Sequence, residues 1–151
     1  MRVSAKADYA IRALVELAAS GPGPVKGERV AEAQEIPIRF LENILLDLRR
    51  AGLVASQRGA DGGYWLARPA AEITLADVIR AVDGPLASVR GRRSEELAYA
   101  GSAEPLQAVW IAVRASLRRV LEAVTLADVA NGELPAVVTA LTADPDAWQP
   151  R

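Results

Sequence analysis

Apolar residues in the first stretch of the chain recur at helical spacing. Ala7, Ala10, Ile11, Leu14, Val15, Leu17 and Ala18 fall on one side of a helix running to about Ala19, and Ser4 stands where an N-cap belongs. Gly21-Pro-Gly-Pro24 ends it. The pattern resumes over Gly27 to Gln34, with Val30, Ala31 and Ala33 as the expected buried side, and Glu35-Ile-Pro makes a turn. A third helix follows from Pro37 to about Ala51. Pro37 suits its first turn, where a missing N–H costs nothing. Phe40, Leu41, Ile44, Leu45 and Leu48 form its apolar stripe, and Gly52 stops it. Arg39, Glu42, Asn43, Asp47, Arg49 and Arg50 lie largely off the stripe. Two short helices joined by a tight turn, the second carrying exposed polar and basic residues, match a helix-turn-helix. A plain helical hairpin has the same local pattern.

The next segment separates these readings. Arg58 to Pro69 reads RGADGGYWLARP and follows LRRAGLVASQ. Asp61-Gly62 is a favoured turn pair, and Gly59, Gly62 and Gly63 are expected to supply the positive φ angles of a tight hairpin. A two-stranded wing directly after an amphipathic helix is the arrangement of winged helix-turn-helix proteins. There the helix lies in the major groove and the wing touches the backbone or minor groove.

Ile73 to Gly84 predicts a further helix, with Thr74 and Asp77 as a capping box in which Asp replaces the usual Glu or Gln. The same TLADV begins at Thr125; five residues identify a second cap of one type, not a repeat. Leu86 to Glu104 shows no regular pattern and reads as a loop or a poorly ordered short helix. From Pro105 to Val124 a long helix is expected. Leu106, Val109, Trp110, Val113, Leu117, Val120, Leu121 and Val124 form an a/d-type seam, flanked by Arg114, Arg118, Arg119 and Glu122. Such a seam packs on the chain's own first helix, on the same helix of a second subunit, or on both. The tail from Thr142 is patternless and expected to be mobile, with Trp148 incidental. The fold class is therefore mainly α with a small β-wing. A winged helix-turn-helix domain spans 1–84, a loop 85–104, a dimerisation helix and C-terminal helices 105–141, and a flexible tail 142–151.

Composition narrows the chemistry. At 51% hydrophobic and 25% charged, the 151 residues can bury a core. No apolar run reaches the length of a membrane span, and Lys6, Asp8, Arg12 and Glu16 interrupt any secretory signal, so a cytoplasmic protein is expected. There is no Cys and no His. Thiolate and imidazole metal sites, cysteine nucleophiles and histidine bases are thereby excluded. Asp61, Glu95, Glu96 and Glu104 have no spacing that gathers two carboxylates in one cleft, so an enzyme is not expected. Net charge is −1, divided as +2 over residues 1–68 (10 Lys/Arg against 8 Asp/Glu) and −3 over the remainder (8 against 11). That asymmetry is compatible with a local basic face and does not establish one.

SAKADYAIRAL, IPIRFLENILLDLRRAGLV, SQRGADGGYWLARP and ITLADVIRAVDG, in this order, resemble the Rrf-two family of bacterial winged-helix transcription regulators, and the late VTLADV also fits. The resemblance covers about residues 1–130. It implies a homodimer in which a long C-terminal helix crosses between subunits, each winged-helix unit reading half of a near-palindromic operator on double-stranded DNA. Arg58, beside Gly59, matches a wing arginine that enters the minor groove. Glu42 matches a position that accepts from cytosine N4, and Arg39 a base-facing position suited to guanine. Lys6 and Tyr9 match positions near the phosphate backbone, although Tyr9 is equally suited to the core. Phe40, Asn43, Arg49 and Arg50 complete the expected DNA-binding set. For each charged residue of this helix the alternative is a merely solvated face.

The best-studied relatives hold an iron–sulfur cluster on three cysteines of their sensing loop. The corresponding region here, about Val89 to Pro105, has none, so no cluster, no haem on Cys or His and no thiol redox sensing is expected. Two readings of the signal remain. In one, a small effector sits where Tyr99 and Trp110 line an apolar pocket and Arg90, Arg92 or Arg93 meets an anionic group. In the other there is no ligand, and expression level or a protein partner regulates. A separate functional class is a winged-helix dimer acting as a protein-docking adaptor without sequence-specific DNA binding.

Overall fold

The computed structural model describes residues 1–151. Helix α1 spans Ala5–Ala19, α2 Gly27–Gln34 and α3 Ile38–Arg50. Ser4 caps α1 by accepting from the Ala7 N–H at 2.9 Å, and its hydroxyl donates to Asp83 at 2.5 Å. Between α2 and α3 the chain turns at Glu35, which takes the left-handed conformation (φ 51°), and Ile36 drops into the core behind it. Leu14, Leu17, Val30, Leu41, Ile44, Leu45 and Leu48 join one buried cluster. Three details differ from the sequence pattern. Pro37 is the N-cap of α3 and lies outside its first turn. Ala33 is exposed, because α2 buries only Val30 and Ala31. Phe40 is 63% exposed. The core side of α3 is set by Leu41, Ile44, Leu45 and Leu48, and one residue back along a helix turns the side chain about 100° away from it.

Strands β1 (Val54–Gln57) and β2 (Gly63–Leu66) pair antiparallel, with Val54 opposite Leu66 and Gln57 opposite Gly63. Val25 adds a third, single-residue rung: its N–H and C=O both pair with Tyr64 at 2.8 Å. At the wing tip Gly59 has the expected positive φ (105°), but Gly62 does not. Its requirement is steric, since a Cβ there would lie 2.0 Å from the Gln57 carbonyl oxygen.

Helix α4 (Leu75–Asp83) starts from the Thr74–Asp77 capping box, and α6 (Leu126–Asn131) from the Thr125–Asp128 box. The two caps lie side by side. Leu75 N–H donates to Val124 C=O at 2.9 Å, and Leu126 N–H to Ile73 C=O at 3.0 Å. Helix α5 (Leu106–Leu121) has therefore ended before Val124, which is buried inside the protomer and leaves the expected seam. Nor does α5 cover α1, whose principal neighbours are α2, α3, α4 and α6. No residue of α5 is buried in the single chain, and Val109 is half exposed.

The 85–104 segment is more structured than its sequence suggests. Val89 and Arg92 exchange two hydrogen bonds of 3.0 Å, short 3-10 turns form at Ser94–Glu96 and Gly101–Ala103, and Ser94 is buried, donating to the Ala87 carbonyl at 3.3 Å. Helix α7 (Ala136–Thr142) is followed by a 3-10 turn at Pro145–Trp148 capped by Asp144. The tail thus carries a defined turn, and the Trp148 indole donates to Thr142 C=O at 2.7 Å while staying largely exposed.

Candidate nucleic-acid interface

Helix α3 turns one face to the core and the other to solvent. Arg39, Phe40, Glu42, Asn43, Leu46, Arg49 and Arg50 are all exposed. Arg39, Glu42, Asn43, Leu46 and Arg50 follow the three- and four-residue spacing of a single stripe. Arg39, Arg49, Arg50 and Arg58 enter none of the salt bridges of the fold, so their charge is uncommitted. Arg49 and Arg50 occupy the last turn of α3, where positive charge also complements the helix dipole.

The wing is fixed to the same body as α3. Leu53 N–H donates to the Leu48 carbonyl at 3.0 Å, and Leu53 and Val54 are core residues, so the first strand leaves the helix without slack. Its tip carries Arg58 and Gly59 in solvent. Lys26, immediately before α2, donates to the Gly59 carbonyl at 2.7 Å and steadies that tip. Sequence reading missed Lys26. Its one signal was its position beside Val25, whose pairing with Tyr64 emerges only in the folded chain.

The two N-terminal candidates are less free. Lys6 pairs with Asp47 on the flank of α3 (Nζ–Oδ2 2.7 Å), and that hydrogen bond holds the Asp47 carboxyl below its ordinary pKa. Tyr9 is half-buried against the core, with the Arg12 guanidinium 5.2 Å from its ring centroid. The core reading of Tyr9 thus holds for its ring.

Along α5 the seam residues Leu106, Trp110, Val113, Leu117, Val120 and Leu121 are partly buried, and Val109 is half exposed. The candidate effector residues do not converge. Trp110 Nε1 donates to the Tyr99 hydroxyl at 2.9 Å, pinning the loop to α5. Arg92 donates to the Glu96 carbonyl at 2.8 Å, and Arg90 sits in an exposed turn. Arg90, Arg92, Tyr99 and Trp110 line neither of two cavities beside α5, and of the expected set only Arg93 lines one. Arg80, Arg114 and Arg118 surround that cavity with it.

Comparison with known proteins agrees with this geometry. The family model described as Rrf2, iron-dependent transcriptional regulator, matches residues 3–132. A Mycobacterium tuberculosis relative named "Putative HTH-type transcriptional regulator" is 54% identical over 145 residues, 95% of this chain and 90% of the relative. The transcriptional regulator CymR of Bacillus subtilis is 36% identical over 132 residues, 87% of this chain and 91% of its own. Among solved structures, CymR, the global cysteine regulator of B. subtilis, superposes with a TM-score of 0.74 at 34% identity, covering 87% of this chain and 98% of that one. T. potens IscR gives 0.69 at 34% identity, covering 100% and 93%. The chain belongs to the Rrf2 family of winged-helix transcriptional regulators, and it is a DNA-binding regulator and not an enzyme.

Proposed function

We propose that the protein is a homodimeric, operator-specific repressor of the bacterial cytoplasm that works without an iron–sulfur cluster. The observation that carries the DNA-reading half is the outward stripe of α3 beside the wing tip, two exposed surfaces with uncommitted arginines on one rigid body. In this reading Arg39 donates bidentately to guanine and Glu42 accepts from cytosine N4, each with roughly 1–3 kcal/mol of discrimination. Phe40, standing out from α3, meets a thymine methyl, and Asn43 reads an adjacent base edge. Arg49, Arg50 and Lys6 act on phosphates, with Lys6 shared with Asp47, and Tyr9 flanks them. Arg58 enters the minor groove, where narrow A·T segments attract guanidinium groups.

The unburied apolar side of α5 supports a two-fold dimer, since in water a helix of this length is stabilised chiefly by packing of its apolar face. A two-fold dimer presents two α3 helices to an inverted repeat. The family model's description implies iron, but the donor set does not fit: the chain has neither thiolate nor imidazole, and no group of three carboxylates is placed to hold a metal. A small effector is part of this reading, supported by the arginine-lined cavity beside α5.

The test is selection of genomic fragments by the purified protein, followed by a salt titration on the recovered site. A near-palindrome whose affinity falls steeply with salt is expected. Failure to enrich any sequence would mean either that binding needs a missing effector or that the protein is the docking adaptor.

A further inference from the structure

A cavity of about 400 Å³ opens between α4, the 85–104 segment and α5. Arg80 of α4, Arg93 of the segment, and Arg114 and Arg118 of α5 line it, with Glu95 and Leu86. The four guanidiniums share two carboxylates. Arg80 and Arg118 both hold Glu122, at 2.5 and 3.0 Å, while Arg114 and Arg93 hold Glu95, the latter at 3.9 Å. Both carboxyls lie below their ordinary pKa, Glu122 mainly through Arg118, and Glu95 through a backbone hydrogen bond first and Arg114 next, so both are ionised at neutral pH. Four positive and two negative charges leave the cluster at +2. Each guanidinium has five N–H donors, and one or two carboxylate oxygens leave several of them unused.

We propose that this cavity is an effector site for a small organic phosphate or sulfate. The planar guanidinium fork matches tetrahedral oxyanions, and the volume lies in the usual small-ligand range of about 300–1,000 Å³. Apolar lining is confined to the Leu86 side, so the charged group dominates recognition. An anion here draws together α4, which packs on α1 and α3, and α5, which carries the partly exposed seam. Occupancy thereby sets the angle between the DNA-reading body and the dimer helix. The inference rests on the effector-responsive reading above, and it relocates the site from Arg90, Arg92, Tyr99 and Trp110.

The experiment titrates the full-length protein, without DNA, with inorganic pyrophosphate at constant ionic strength and follows thermal unfolding and binding heat. A saturable rise in the unfolding midpoint is expected for the wild type. Binding should weaken at least ten-fold in Arg114→Gln/Arg118→Gln and several-fold in Arg93→Gln. Arg93 is 61% exposed with one long ion pair, so its loss leaves the fold intact even if the double variant is unstable. Arg119→Gln, which removes the same charge from α5 outside the cavity, should bind as wild type. Absence of a saturable shift, or Arg93→Gln and Arg119→Gln behaving alike, overturns the proposal. Because no DNA is present, these results are independent of whether operator selection succeeds.

Discussion

Lys6 of α1 and Asp47 of α3 meet at 2.7 Å on the flank of α3. The pair braces α3 against α1, and it also sets a negative charge close to where phosphates would lie. Asp47→Asn should therefore lower stability slightly while raising DNA affinity a few-fold, because Lys6 is released to the phosphates. Reduced affinity in the variant would mean that the brace matters more than the charge.

The same pair fixes a pH dependence. Asp47 has a folded pKa below its ordinary value of 3.8, chiefly through the hydrogen bond from Lys6. Its contribution to stability is present above the unfolded value and is lost as pH falls through the folded one. The stability gap between wild type and Asp47→Asn, measured by urea unfolding from about pH 6 downward, should close in acid. A gap that is constant with pH would mean that the ion pair contributes nothing.

The wing offers a sharper test. A Cβ on Gly62 would lie 2.0 Å from backbone oxygen, which cannot move aside as a flexible side chain could. Gly62→Ala should cost on the order of 1–3 kcal/mol, typical of overpacking, and should weaken operator binding along with it. Calorimetry and a binding titration check both. An unperturbed variant would show that the 58–62 loop takes another path.

Local rules made most of this fold legible. Ser4, Thr74 and Thr125 all cap as their sequence context predicts, and the wing strands fall where the turn residues require. What escaped was set by distant contacts. The repeated TLADV identifies two caps, but nothing local says that they lie against each other and draw Val124 out of the seam. Val25 pairs with a strand residue 39 positions later in the chain, which brings Lys26 to the wing tip. The arginine cavity is assembled from α4, α5 and the segment between them, so the basic run Arg90 to Arg93 pointed to only one of its four arginines, Arg93. On α3 the error concerned Phe40. Spacing alone allows it on the stripe, and only the docking of α3 decides which way it points.

Arg58 and Arg39 should fail in different ways. Arg58→Ala removes the wing-tip guanidinium and should weaken operator binding ten-fold or more while the protein stays folded and dimeric. Arg39→Ala should change base preference at one position in each half-site, because a bidentate base contact is sequence-specific. Selection profiles of the two variants distinguish them. A uniform loss across sequences for Arg39→Ala would reassign it to phosphate.

The dimer reading is most exposed at Val113. No residue of α5 belongs to the 17-residue core, so the protomer does not depend on this helix for its main hydrophobic cluster. A carboxylate at the middle of an apolar seam must be desolvated if a second helix covers it, at a cost of several kcal/mol, but stays in water if nothing does. Val113→Glu should therefore yield a folded monomer by light scattering and circular dichroism. Operator affinity should fall steeply, because two linked half-site contacts become independent ones. A normal dimer would mean that the subunits associate through another surface, and that the exposed side of α5 serves a different partner.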